Sequence, residues 1–201
     1  MATQLKLALP RWGGRRKNAG RPRRDGRKLP PGVPHLRRPA LEPRHPAHVT
    51  LKVLKELPSL RSPGGALAVI GALQAGSARK GFRVVHFSVL RDHIHLVVEA
   101  TDAQALTRGV QCLSIRVARQ INRALGRRGK VFADRYHARA LRTPTEVRRA
   151  IAYVVHNFAK HEVRAGRGQP AGFLDLLSSQ GIPLREPRTW LLRIGWKRGR
   201  S

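Results

Sequence analysis

The sequence predicts an α+β fold: a ferredoxin-like split βαβ antiparallel sheet with helices on one face, plus a C-terminal helix that carries a tyrosine. Three observations predict it. Apolar, β-branched runs with partial alternation mark strands at 48–54, 82–90 and 93–100. Apolar residues at three- and four-residue spacing mark a long helix after the third strand. The resulting order, strand–helix–strand–strand–helix–strand, is that of the split βαβ unit. Such a sheet hosts many activities, so function must be read from particular residues.

His48-Val49-Thr50-Leu51-Lys52-Val53-Leu54 opens the folded region as its first strand. Ser62-Pro63-Gly64-Gly65 reads as a turn, and the Ala-rich stretch 66–79 (ALAVIGALQAGSAR) as a helix. FRVVHFSVL (82–90) and HIHLVVEA (93–100) are separated only by the polar break Arg91-Asp92, which makes them a hairpin. Over 102–125, Leu106, Val110, Leu113, Val117, Ile121 and Leu125 form one apolar stripe, ended by Gly126 and Arg127-Arg128-Gly129. Val131-Phe132 and then 135–142 offer the fourth strand. Thr143-Pro144-Thr145-Glu146 is a helix start: a capping residue, proline in the first turn and Glu three residues after the cap. That helix is expected to run to about Lys160.

Charge narrows the partners. The 201 residues include 41 Lys+Arg against 11 Asp+Glu, a net charge of +30. A surplus of this size repels itself unless a polyanion is near, and nucleic acid is the usual one. No stretch approaches the roughly 18–20 apolar residues of a spanning helix, and no signal-peptide core follows Met1, so no membrane partner is expected. The single cysteine, Cys112, excludes an intrachain disulfide framework and a multi-cysteine zinc site, and fits a reducing interior.

Three regions are expected. Residues 1–46 form a basic arm, with thirteen lysines and arginines against Asp25 and Glu42 and with recurrent Pro and Gly. That composition cannot bury enough surface to offset its ordering entropy, so the arm reads as disordered. Arg15, Arg16, Lys17, Arg21, Arg23 and Arg24 are its candidate nucleic-acid contacts. Gly20-Arg21-Pro22-Arg23 resembles the core of an AT-hook, whose extended Arg-Pro-Arg suits a narrow A·T minor groove; the alternative is a non-specific phosphate-binding arm. Residues 47–162 are expected to be the folded domain that carries any catalytic site. Residues 163–201 are a basic tail punctuated by Gly and Pro, in which Trp190 and Trp196 are candidates either to stack on unpaired bases or to anchor the tail.

The chemistry centres on two places. In His93-Ile94-His95 the two imidazoles, two residues apart on a strand, project to one side while Ile94 enters the opposite layer. This makes a two-ligand site for a divalent cation, or else two partly exposed sheet histidines. On the last long helix, Val147, Ile151, Val154 and Phe158 form the core stripe. Tyr153 and Asn157, four apart, share a flank beside it. Two histidines and an amide oxygen would hold Mg²⁺ or Mn²⁺ with open positions, and a tyrosine hydroxyl beside that ion suits attack on a phosphodiester. A phenol needs a proton acceptor at neutral pH; His156 and a metal-bound water are the candidates. Tyr136-His137 could supply an alternative nucleophile or base, but a strand position gives Tyr136 no metal partner four residues on, so Tyr136 reads rather as structural or a DNA contact. His48 and His86 could neighbour the site on adjacent strands, with core or boundary packing as the plainer reading.

RDHIHLVVEA (91–100), followed by Tyr153 and Asn157 in AIAYVVHN (150–157), resembles the single-tyrosine HUH transposases, and within them the IS200-like and REP-associated tyrosine transposases. The resemblance spans about residues 46–162, with HVTLKV (48–53) as first strand and GKVFADRYHARAL (129–141) before the tyrosine helix. It implies that His93 and His95 bind a divalent metal, that Asn157 is the third ligand, and that Tyr153 is the nucleophile forming a 5′-phosphotyrosine. It also implies single-stranded DNA with hairpin or palindromic ends as substrate, a monomer or homodimer, and a bacterial cytoplasmic, nucleoid-associated setting. Phe158 follows Asn157 where relatives near this branch often carry proline. The rival readings are a catalytically silent nucleic-acid-binding protein on the same sheet and a metal-dependent hydrolytic nuclease in which water attacks.

If the arm holds phosphates, removing residues 1–46 flattens the dependence of DNA affinity on salt, by roughly 0.7–0.9 in log–log slope per lost contact. Affinities measured by fluorescence anisotropy across a salt series check this, and an unchanged slope refutes the role.

Overall fold

The computed structural model describes residues 40–166 and 172–198. The six arm residues Arg15, Arg16, Lys17, Arg21, Arg23 and Arg24 therefore lie outside the described residues. The elements are β1 (Ala47–Lys52), α1 (Pro63–Gly76), β2 (Ala78–Arg79), β3 (Phe82–Val89), β4 (His93–Ala100), α2 (Ala103–Ala124), β5 (His137–Ala140) and α3 (Pro144–Arg164). A π-helical turn, Leu191–Gly195, then runs into the short α4 (Trp196–Arg198). The sheet is antiparallel with order β2-β3-β4-β1-β5. Apart from the two-residue β2, this is the ferredoxin-like order the sequence predicted. No helix among the described residues is long and apolar enough to cross a membrane.

Each of the three long helices begins where a side chain satisfies free backbone donors. Ser62 accepts from the Gly65 amide, Asp102 from the Ala105 amide, and Thr143 and Glu146 close a reciprocal capping box. The first of these corrects the predicted range 66–79 for α1. Ser62-Pro63 is a cap followed by proline at the first helical position, not a turn preceding the helix. At the other end, Ala78–Arg79 leave the helix and pair with β3. The fourth strand is likewise shorter than 135–142, and Phe132 instead makes an isolated bridge with Val53.

α1 and α2 cover one face of the sheet. Leu106, Val110, Leu113, Val117 and Ile121 of α2 and Val69, Ala72 and Leu73 of α1 pack on Val49, Leu51, Ile94, Leu96 and Val98. α3 lies on the opposite face, across β3 and β4, where Val147, Ala150, Ile151 and Val154 cluster with Val85 and Val97. β4 is thus buried on both sides, and its alternation sends Ile94, Leu96 and Val98 one way and His95, Val97 and Glu99 the other.

A bulge in β3 keeps that division consistent. Val84 pairs with Val98 and His86 with Val97, so Val85 is the extra residue. One inserted residue reverses the side-chain parity of a strand. Phe82 and Val84 before the bulge, and Phe87 and Val89 after it, therefore all enter the two-helix core. His86 and Ser88 turn to the α3 face.

The chain on both sides of the 47–162 region is packed as well. Leu41 is buried in the two-helix core, and the Pro46 carbonyl accepts from the Leu141 amide, so the expected arm boundary at residue 46 cuts into packed chain. Removing residues 1–39 in place of 1–46 tests the arm's salt dependence without losing this packing. Of the segment read as a tail, residues 172–198 return to the sheet. Arg61 makes a two-pronged ion pair with buried Asp175. The buried carboxylate of Glu99 accepts from the Arg188 and Thr189 amides and the Thr189 hydroxyl, ahead of the turn that delivers Leu191 and Leu192 to the α3 cluster.

Gly109 marks the tightest helix-to-sheet approach. A Cβ placed there would collide with the Phe82 ring, which is wedged against α2. Overpacking of this kind costs about 1–3 kcal/mol. Gly109→Ala is therefore expected to lower the melting temperature by several degrees in calorimetry, despite alanine's better helix propensity; an unchanged or raised value contradicts this packing.

Candidate active site

β4 delivers His93 and His95 to the α3 face, and α3 delivers Tyr153 and Asn157 onto them. The His95 ring centroid lies 4.7 Å from that of His93 and 5.1 Å from that of Tyr153. Tyr153 also stands edge-on to His48, at 5.8 Å. The phenol is 41% exposed, whereas Asn157, one turn further on, is buried at 3%. One more turn brings His161 to 6.4 Å from His93. The flank Tyr153–Asn157–His161 thus runs along the strand from His95 towards His93.

The two histidines of the strand are oriented by hydrogen bonds on the same ring position. His93 Nδ1 is 2.7 Å from Asp92 Oδ1. His95 Nδ1 is 3.1 Å from both His48 Nε2 and Thr50 Oγ1. Engaging Nδ1 leaves Nε2 as the nitrogen that can offer a lone pair. His95 Nε2 is buried with no partner, and so is Asn157 Nδ2. Buried polar atoms without partners are uncommon and call for a reason. A half-turn of the Asn157 amide exchanges its nitrogen and oxygen without changing its shape, so it can present a carbonyl.

The electrostatics fit ligands rather than cations. Burial, reinforced by His93, His48 and His161, pushes the His95 pKa down to about 3. Burial, with help from His137 and Arg139, pushes His48 down to about 4. Both imidazoles are therefore neutral near pH 7, the form that coordinates a metal. Among the described residues no group of three or more His, Cys, Asp or Glu side chains is arranged to hold an ion. A cation here would rely on the two strand histidines and an amide, a donor set that includes Asn157.

The other candidates fall elsewhere. His156 is exposed and reaches Gln180, and Tyr136 donates to Thr107 on α2, behind the sheet. His86 contacts Ser179, and Trp196 donates to the Leu192 carbonyl and packs on the α3 cluster. Trp190 is exposed and lies over Gly195. Of the two histidines that the sequence allowed either to pack or to neighbour the site, His48 lies against both His95 and Tyr153. Asp92, read as a break, holds His93; Thr50 and His161 were not singled out. The available signal for His48 and Thr50 was their alternation with Val49 and Leu51, which puts them on the non-core face of the neighbouring strand.

Residues 66–157 match the model of the family described as "Transposase IS200 like", a stretch that takes in His93, His95, Tyr153 and Asn157. The family resemblance holds. Among solved structures, a REP-associated tyrosine transposase bound to a REP hairpin is similar at 16% identity and a TM-score of 0.48, over 71% of this chain and 92% of that one. A candidate transposase from Deinococcus radiodurans R1 is similar at 15% identity and a TM-score of 0.41, over 71% of this chain and all of that one. No curated protein matches.

The two depressed histidines fix a pH dependence. The unfolded chain takes up protons near pH 6.5 at these positions, whereas the folded protein resists until about pH 4 at His48 and about pH 3 at His95. Below pH 6.5 the unfolded state binds more protons, so stability falls as pH drops from about 6.5 towards 4, and is level above it. Melting temperatures of the metal-free protein across this range are expected to show that slope, and His48→Gln/His95→Gln to flatten it.

Proposed function

We propose that the protein is a DNA strand transferase in which Tyr153 attacks a phosphodiester of single-stranded, hairpin-bearing DNA. The phenol oxygen gives up its proton as it forms a bond to phosphorus, the bond from phosphorus to the 3′ oxygen breaks, and that oxygen takes up a proton and leaves as a hydroxyl, with no net change in protons. The product is a 5′-phosphotyrosine, which conserves the bond energy and permits rejoining to another 3′ end. His93 and His95 through Nε2, and Asn157 through its amide oxygen, would hold Mg²⁺ or Mn²⁺, which when bound withdraws charge from a non-bridging phosphate oxygen. Asp92, His48 and Thr50 orient the two imidazoles for that task. The half-exposed position of Tyr153 lets DNA reach it, while the partners beneath it stay dry. Its place of action would be bacterial DNA in the cytoplasm.

The observation that carries this reading is the convergence on one flank of α3. An accessible phenol stands 5.1 Å from the ring of a histidine whose Nε2 is buried and unpartnered, one helical turn from an asparagine whose amide nitrogen is also buried and unpartnered. The groups meet within a single chain, which supports a site complete in one subunit. The family match over 66–157 supports the reaction class.

A hairpin oligonucleotide incubated with the protein and Mg²⁺ or Mn²⁺ should give a protein–DNA adduct on denaturing gels. Tyr153→Phe is expected to abolish the adduct and lower cleavage by about a thousandfold or more. Cleavage without an adduct would assign attack to water. Undiminished cleavage by Tyr153→Phe would remove Tyr153 as nucleophile, and no cleavage under any metal would leave a DNA-binding protein.

A further inference from the structure

α3 covers only part of the face on which Tyr153 lies. Among the described residues it packs chiefly across β3 and β4, touching β1 where Tyr153 meets His48, and on the same face of β1 and β5 the residues Lys52, His137 and Arg139 stay exposed. The register identifies the side chains there. Across from His95 on β1 is Thr50, and across from Thr50 on β5 is His137. His48 on β1 pairs with Arg139 on β5, and Lys52 pairs with His93. Lys52, His137 and Arg139 are exposed, and Thr50 and His48 are partly so. This half of the sheet is therefore a polar shelf bounded by a lysine at the His93 end and an arginine at the His48 end. Four residues of strand, about 13 Å, separate those two ends. The Tyr153 ring, beside His48 and His95, overlooks this interval.

Each cation of the shelf has a carboxylate near it, and each carboxylate has a second partner: Lys52 interacts electrostatically with Asp92, and Arg139 forms an ion pair with Glu146. Asp92 is engaged by His93 at 2.7 Å. Glu146 accepts from the Arg142 and Thr143 amides in the helix cap and stands 3.7 Å from Arg139, whose side chain remains 59% exposed. A shelf with a cation at each end, open to solvent and level with a nucleophile, has the shape and charge for an extended polyanion. The width of one or two strands suits a single nucleic-acid strand better than a duplex.

We propose that the β1–β5 half of the sheet is the cradle for the single DNA strand that carries the scissile phosphate, with Lys52 and Arg139 as its phosphate contacts on either side of Tyr153. This assignment rests on the proposed strand-transfer function and adds the path of the substrate to it. His137 and Thr50 line the floor between the two cations.

The test is binding of a fluorescein-labelled hairpin with a single-stranded tail to the full chain carrying Tyr153→Phe, so that no covalent step intervenes. Each lost phosphate contact on a single strand lowers the slope of log affinity against log salt by about 0.7. Lys52→Gln/Arg139→Gln is expected to lower that slope by about 1.4 and to weaken binding at least tenfold at 100 mM salt. Arg116→Gln/Arg119→Gln removes the same charge from exposed positions on α2, on the opposite face of the sheet, and is expected to change the slope by less than half as much. Melting temperatures report whether either pair perturbs folding. Equal losses in the two pairs, or a larger loss on α2, overturn the cradle and make binding diffuse. Because binding is read without cleavage, this outcome is separate from that of the adduct experiment. A missing adduct sinks the nucleophile and leaves the cradle, while equal slopes sink the cradle and leave the nucleophile.

Discussion

The double burial of β4 is the constraint on which the rest depends. A central strand with apolar layers on both faces has no freedom of register, because a slip of one residue would exchange Ile94, Leu96 and Val98 for His95, Val97 and Glu99. The same alternation that fills the two-helix core places two imidazoles and a carboxylate beneath or beside α3. Burying them is costly unless they are partnered, and their partners explain much of the remaining architecture. His95 is met by His48 and Thr50 from β1. Glu99 is met by the backbone at 188–189, which brings the C-terminal segment back across the molecule.

The bulge at Val85 belongs to the same constraint. Without an extra residue, β3 could not present apolar side chains to the two-helix core at both of its ends. With it, Ser88 becomes the cross-strand neighbour of His95 on the α3 face. The fixed strand and the capped start of α3 together set where along the helix the tyrosine meets the histidines. The Thr143 capping box determines the first turn of α3; the apolar stripe then fixes its rotation, leaving Tyr153, Asn157 and His161 on the flank that faces the strand.

Solvent divides this site into a dry part and a wet part. Asn157 and His95 are nearly inaccessible, which holds the imidazole neutral and leaves polar atoms without partners. Tyr153 and the shelf formed by β1 and β5 are open. Groups suited to a cation thus lie beneath, and groups suited to a phosphate strand lie alongside.

The order of elements, the shared face of His93 and His95, and the shared flank of Tyr153 and Asn157 are all legible in the amino-acid sequence. All of these follow from the periods of strand and helix, which are local properties of the backbone. It also carried the cap of α3, since a capping box is encoded within four residues. The start of α1 was misplaced because Ser62-Pro63 serves turns and helix caps alike, and only the bond from Ser62 to the Gly65 amide distinguishes them. Tertiary structure alone decided which strand neighbours which, and therefore that His48 rather than His86 stands against His95. It also decided that α3 packs chiefly on β3 and β4, so that Lys52, His137 and Arg139 on β1 and β5 stay exposed on the face of the phenol. Those outcomes depend on contacts between residues dozens of positions apart, which no local period encodes.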